Sequence, residues 1–214
     1  KLSGKIDGIL LTHAHIGHYA GLIHLGREVM GTKGIPVHVM PRMEKFLRTQ
    51  GPWSQLVGLN NIRLSPMRDG RVFSLNKRLR VTPFLVPHRD EFSETVGFRI
   101  EGPSKKILWL PDIDKWEKWK TPIEKVLKDV NIAYLDGTFF ANGELPGRDM
   151  SKIPHPFIAE TMRRLKDQPA SLRARVRFIH LNHTNPAHDS DGPAVAQIRK
   201  AGMRVAKQGE RVEL

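Results

Sequence analysis

The chain has 214 residues, no cysteine and a formal net charge of +13. That length is enough for one substantial hydrophobic core, and the lack of cysteine excludes disulfides, thiolate metal ligands and a cysteine nucleophile. No apolar run approaches the ~20 residues of a membrane-spanning helix.

In chain order, Ile9-Leu10-Leu11 reads as a short buried strand, because it is branched-aliphatic and bounded by Gly8 and a cluster of histidines. Residues 19–29 have helical apolar spacing ending near Gly31, residues 35–40 read as a strand, and 41–50 as an amphipathic helix with Pro41 at its start. Strands are expected over 62–64, 71–75 and 79–86, separated by Asp69-Gly70 and Asn76-Lys77, which carry the turn chemistry of antiparallel pairs. Residues 95–101 and 106–110 flank Gly102-Pro103-Ser104, another hairpin signal. Beyond Asp112 the pattern becomes helix (122–127), strand (131–135), helix (156–165), strand (176–180), helix (193–201, ended by Gly202) and strand (203–206). Hairpins followed by αβ units imply an α/β fold of layered sheets covered by helices. No Pro/Gly/Ser-rich linker divides the chain, so residues 1–214 are expected to form a single domain.

The candidate chemistry lies where these strands end. In Thr12-His13-Ala14-His15-Ile16-Gly17-His18 the period of a strand puts His13 and His15 on one side, and His18 follows as the next helix opens. His88 follows the strand over 79–86, Asp112 the strand over 106–110 and Asp136 the strand over 131–135, while His180 ends the strand over 176–180. Polar residues placed where buried strands run out point ligands into one cleft. With no thiolate available, these imidazoles and carboxylates make a mixed nitrogen and oxygen metal site suited to zinc, one or two ions, and also to iron or manganese. His24, His38 and His188 are read as structural or solvated, and Trp53, Trp109, Trp116 and Trp119 as packing residues.

The basic residues are dispersed. Lys105-Lys106, Lys115/Lys118/Lys120, Arg163-Arg164 and Arg173/Arg175/Arg177 lie in different segments without aromatic interleaving. That pattern favours a solvated basic surface and a small-molecule or anionic substrate over nucleic acid.

The stretch Thr12 to His18 resembles the H-x-H-x-D-H signature of the metallo-β-lactamase fold, and the later order His88, Asp112, His180 is similar to that superfamily's ligand motifs. More narrowly, His88-Arg89-Asp90-Glu91, Leu135-Asp136-Gly137-Thr138 and His180-Leu181-Asn182-His183-Thr184-Asn185-Pro186 resemble the coenzyme PQQ synthesis protein B family. Ser151-Lys152-Ile153-Pro154-His155, expected to open a helix, resembles the catalytic-histidine segment of transfer-RNA 3′-processing nucleases and related phosphodiesterases. The resemblance implies an αββα sandwich lacking its N-terminal strands. The chain begins at Lys1 rather than Met and reaches the histidine cluster almost at once, so it is expected to be a fragment. Any export signal would lie upstream, and the compartment stays open with the cytoplasm as default.

Residue by residue, the resemblance makes His13, His15 and His88 ligands of a first metal, with Asp112 bridging to a second held by His18 and His180. Gly17 stands where the family motif has aspartate, so the second site has three protein ligands at most. Asp90, Glu91, Asp114 and His183 are the candidates to compensate, and His183 also competes with His180 as ligand. Asp136 is expected to hydrogen-bond a ligand histidine rather than bind metal. His155 is the candidate general acid, with a purely structural role as its alternative. The implied activity is hydrolysis of an ester, lactone, amide or phosphodiester. An iron-dependent oxidative role and a catalytically degraded metal-binding module are the alternatives, and the sequence does not fix the oligomeric state.

Overall fold

A computed structural model of the chain describes residues 5–214, so Lys1 and the three residues after it lie outside the description. The described residues fall into two compact units, one running to Arg71 and including Asp90–Val96, the other made of Val72–Arg89 and Gly97–Leu214. A single domain was the sequence expectation. The chain passes between units at three points, none a Pro/Gly/Ser-rich run, so composition carries no mark of the division.

The first unit runs β1 (Ile9–Leu10), α1 (Ile16–Tyr19), β2 (Ile35–Val39), α2 (Pro41–Thr49), α3 (Trp53–Gly58) and β3 (Ile62–Pro66). Its sheet is parallel in the order β1-β2-β3, with Leu10 opposite His38 and Val37 opposite Leu64. Val37, Val39, Ile62 and Leu64 pack with Met43 and Leu47, one i,i+4 face of α2, and with Trp53 and Leu56 of α3. Two expectations need correction here. The helical pattern over 19–29 is not one helix: α1 gives way at Ala20 to a 3₁₀ turn, Ala20–Leu25, capped by Gly26, because glycines at 21 and 26 weaken continued α-helix. And β3 does not form a hairpin across Asp69-Gly70; it pairs parallel with β2, and the turn lies where the chain leaves this unit.

The second unit holds β4 (Phe73–Ser74), β5 (Arg80–Leu85), β6 (Val96–Glu101, all but Val96), β7 (Lys106–Leu110), α4 (Ile123–Lys128), β8 (Ile132–Asp136), α5 (Ile158–Arg164), α6 (Ala170–Arg173), β9 (Val176–Ile179), α7 (Pro193–Lys200) and β10 (Arg204–Val205). The sheet order is β10-β9-β8-β7-β6-β5-β4. The expected hairpins are present. β4 and β5 are antiparallel, with Asn76 Oδ1 accepting from the amides of Arg78 and Leu79 at 2.8 and 2.9 Å, and β6 and β7 are antiparallel across a turn closed by Gly102 N–H to Lys105 C=O at 2.9 Å.

From β7 onward the sheet is parallel, each step crossing over through a helix. Alternation along the strands sorts the core: Leu108, Leu110, Ala133, Leu135, Val176 and Phe178 face Ile123, Leu127, Ile158 and Ile198 of the helices. Ile107, Ile132 and Tyr134 take the other face, where Val212 and Leu214 pack against them. Register then places the site. Leu110 lies opposite Leu135 and Asp136 opposite Ile179, so the carboxyl ends of β7, β8 and β9 are side by side. In parallel sheets that is the edge where polar residues on the outgoing loops converge.

Candidate functional site

In the first unit the histidine cluster is the loop leaving β1. His15, in extended conformation (φ −83°, ψ 141°), is the residue before α1, and its carbonyl accepts the His18 N–H at 2.9 Å. The extended backbone brings His13 and His15 to one side: His13 Nε2 and His15 Nδ1 are 2.9 Å apart. The His13 and His18 rings lie 4.3 Å between centroids. His13 is buried, its Nδ1 paired with Thr12 Oγ1 at 3.1 Å. The loop is pinned by Ala14 N–H to Ser93 Oγ at 2.8 Å and by Val96 N–H to Thr12 C=O at 3.1 Å. Glu91 reaches His15, with Oε2 2.9 Å from Nε2. Gly17 is exposed, and a Cβ at that position would meet nothing within 4 Å.

In the second unit Asp112, two residues past β7, is the hub. His88 Nε2 lies 3.7 Å from Asp112 Oδ1, His155 Nδ1 3.1 Å from the same oxygen, and His180 Nε2 3.5 Å from Oδ2. The side chains of His88 and Asp112 are almost wholly buried, and one donor atom from each of His88, Asp112 and His155 falls within a 4.8 Å cluster. His180 directly follows β9 with φ 62°, a left-handed conformation that costs a non-glycine residue about 1–2 kcal/mol and that strand ends rarely show. His155 lies in the bend three residues before α5 rather than at the helix start that its sequence suggested.

Asp136 is the buried acceptor of this cluster. Its Oδ1 accepts from the Thr138 amide at 2.9 Å and the Thr138 hydroxyl at 2.7 Å, and its Oδ2 accepts from the Ile113 amide at 3.2 Å and faces His155 Nδ1 at 2.8 Å. The expected partner of Asp136 was a ligand histidine; its direct contact is with His155. Burial works against protonation of His155, but the carboxylates of Asp136 and Asp112 outweigh it and raise the imidazole pKa above its ordinary value, with Arg89 opposing them.

Sequence reasoning passed over Thr138 and Glu144. Thr138 Oγ1 lies 2.8 Å from His180 Nδ1 and 3.1 Å from His155 Nδ1, and its local signal is the Asp136-Gly137-Thr138 turn at the end of β8. Glu144 Oε1 accepts from Thr184 Oγ1 at 2.6 Å while its Oε2 accepts from the Phe140 amide at 2.7 Å. Asn182 donates its amide to Thr138 C=O at 2.9 Å and its side chain to Thr184 at 2.7 Å. Asn185, buried, donates to Gly137 C=O at 2.8 Å and accepts from the Ala187 amide at 2.9 Å. The polar residues after His180 therefore tie its loop to the loop after β8.

The remaining candidates are placed elsewhere. His183 is exposed and belongs to no cluster of metal-binding groups among the described residues. Asp90 accepts from Thr95 Oγ1 at 2.8 Å, and Asp114 pairs with Lys118 Nζ at 2.7 Å. His188 Nε2 lies 2.9 Å from Asn182 C=O. Trp53 and Trp116 are core residues, and Trp116 Nε1 donates to Thr161 at 2.9 Å. Among the described residues no helix is long and apolar enough to cross a membrane.

Comparison with known proteins adds to this geometry. The profile of the Beta-lactamase superfamily domain matches residues 1–181. Coenzyme PQQ synthesis protein B of Methylococcus capsulatus is 25% identical over 233 aligned positions, covering 98% of this chain and 74% of that protein. Among solved structures, Zn(2+)-bound PqqB from Methylobacterium extorquens superposes with a TM-score of 0.79 at 19% identity, over 97% of this chain and 73% of that one. Igni18, a metallo hydrolase from the archaeon Ignicoccus hospitalis, superposes with a TM-score of 0.62 at 16% identity, over 99% of this chain and 81% of that one.

Proposed function

The chain belongs to the beta-lactamase superfamily and has the metallo-β-lactamase fold, and from that premise we propose that it is a metal-dependent hydrolase of ester, lactone, amide or phosphodiester bonds in small or anionic substrates. The observation that carries this reading is the convergence of His88 Nε2 and His180 Nε2 on the buried Asp112 carboxylate, 3.7 Å from Oδ1 and 3.5 Å from Oδ2. Imidazole nitrogen and carboxylate oxygen packed out of solvent fit zinc, and also iron or manganese. His13, His15 and His18 of the first unit and His88, Asp112 and His180 of the second are the protein ligands in this proposal. A bound ion brings deprotonation of water to near-neutral pH and polarises a carbonyl or phosphoryl oxygen.

The chain's own residues supply the remaining steps. Asp136 Oδ2 accepts at Nδ1 of His155 at 2.8 Å, with Asp112 Oδ1 3.1 Å from the same nitrogen, which leaves Nε2 as the nitrogen that protonates the leaving group. The same carboxylates keep His155 protonated to higher pH than an ordinary histidine, as a general acid requires. In this step Asp136 is a positioning residue that acts through His155.

A second reading, an iron-dependent oxidative enzyme, rests on the donor set alone, since imidazole nitrogen and carboxylate oxygen suit iron as well as zinc. Elemental analysis of the purified protein and two variants separates these. Zinc with hydrolysis is expected, with His15→Ala lowering metal content and turnover together. His155→Ala is expected to keep the metal and lose about 10²–10⁴-fold in turnover. Iron with oxygen consumption establishes the oxidative reading instead, bound metal without turnover points to a degraded module, and loss of metal in the His155 variant makes that residue a ligand.

A further inference from the structure

We propose that Thr138 is a positioning residue that sets which ring nitrogen His180 presents, by passing on the hydrogen-bond polarity of the buried Asp136 carboxylate. The proposal deepens the metal-dependent reading and rests on it for its effect on ion binding.

The hydrogens available around Asp136 and Thr138 fix the polarity of both rings. Asp136 has no exposed surface, and as a carboxylate it can only accept. The Thr138 hydroxyl has one hydrogen, and Asp136 Oδ1 at 2.7 Å takes it. Thr138 Oγ1 therefore meets His180 Nδ1, 2.8 Å away, as an acceptor, so Nδ1 of His180 must carry the hydrogen. The lone pair of the neutral ring then lies on Nε2, the nitrogen 3.5 Å from Asp112 Oδ2. His155 obeys the same count: its Nδ1 faces Asp136 Oδ2 at 2.8 Å, Asp112 Oδ1 at 3.1 Å and Thr138 Oγ1 at 3.1 Å, all acceptors. One buried carboxylate and one hydroxyl thus fix two imidazoles in the same sense.

The backbone supports the arrangement. His180 sits at φ 62°, and the chain on both sides of it is held to the Gly137-Thr138 turn: Gly137 N–H donates to Ile179 C=O at 2.9 Å, and Asn182 N–H donates to Thr138 C=O at 2.9 Å. The left-handed residue is bracketed by the turn whose side chain grips its ring. A ligand imidazole in the wrong tautomer must first move its proton, and the partners that fix tautomers typically change metal affinity 10–100-fold.

Two variants test this. Thr138→Val keeps the shape and removes the hydroxyl, and Thr138→Ser restores it. Long-range ¹⁵N–¹H spectra of the metal-free protein report the protonated nitrogen of His180, and chelator competition reports zinc affinity. We expect Nδ1–H at His180 in the natural protein. The valine variant should show Nε2–H or a mixture with zinc affinity about 10–100-fold weaker, and the serine variant should recover both. An Nε2–H tautomer in the natural protein, or a valine variant unchanged in tautomer and affinity, overturns the proposal. If the valine variant does not fold, the natural and serine spectra still decide. If the natural protein takes up no zinc, the zinc form of the metal-dependent reading fails, while the tautomer in the metal-free protein still decides the role of Thr138.

Discussion

Nδ1 of His155 lies 2.8 Å from Oδ2 of Asp136, a carboxylate with no exposed surface. Burial is the largest single influence on His155 and disfavours its charged form; the Asp136 charge and hydrogen bond are the next largest and reverse the sign, with help from Asp112. Asp136→Asn removes the reversing charge and leaves the burial, so the His155 pKa is expected to fall. An acid acts while protonated, so the alkaline limb of the pH–rate profile should move to lower pH, with turnover reduced by about 10²-fold. A pH–rate profile, with an NMR titration of His155 in the metal-free protein, checks this; an unmoved alkaline limb removes His155 from the acid role.

Gly17→Asp should add a metal ligand at little cost. A Cβ at Gly17 meets nothing within 4 Å, and the residue lies inside α1, where replacing glycine gains a few tenths of a kcal/mol in helix propensity. The added carboxylate joins a loop on which His13 and His15 nitrogens are already 2.9 Å apart. The expected outcome is a rise in bound zinc per chain and in any hydrolytic turnover, read by elemental analysis and rate. Unchanged stoichiometry would show that glycine is not what limits the second ion.

Strand ends were the legible part of this site. Asp112, Asp136 and His180 each follow an apolar run bounded by turn chemistry, and parallel register between β7, β8 and β9 does bring those ends together. Three features were not legible. The role of Thr138 depends on contacts across 17 and 42 residues of sequence, which no local pattern encodes. Helix α3, six residues long, is too short to display a period. Asp69-Gly70 has hairpin chemistry but no hairpin, because β2 offers β3 a parallel partner with Ile62 and Leu64 on the buried side. Local turn propensity lost there to tertiary pairing.

His38 gives an acid-sensitive contribution to stability. Burial within β2 is the first cause that lowers its pKa and the nearby Arg63 charge the second, so the folded chain favours the neutral ring. Below the ordinary histidine value of about 6.5 the unfolded chain holds more protons than the folded one. The slope of unfolding free energy with pH is then positive: this contribution is fully present above that value and is lost as pH falls through the folded pKa. His38→Gln, which cannot titrate, should flatten the acid side of the stability curve. Urea midpoints at about pH 7.5 and 5.5 measure it, and parallel curves for the two proteins would exclude His38 as a source.

Gly137→Ala is the substitution expected to disturb packing and site together. A Cβ there would stand 2.9 Å from Phe178 Cβ, 3.0 Å from the Ile179 carbonyl oxygen and 3.3 Å from Leu181 Cδ2. Two of these atoms belong to β9, the neighbouring strand, and the Ile179 oxygen already accepts the Gly137 amide at 2.9 Å, so neither side can yield without separating β8 from β9. Overpacking of this kind typically costs about 1–3 kcal/mol. Gly137 also lies between Asp136 and Thr138, so the same displacement should loosen their grip on His155 and His180. We expect a lower urea midpoint together with weaker zinc binding. Full zinc affinity at reduced stability would instead mean that the Asp136–Thr138 turn moves as a rigid piece with its histidines.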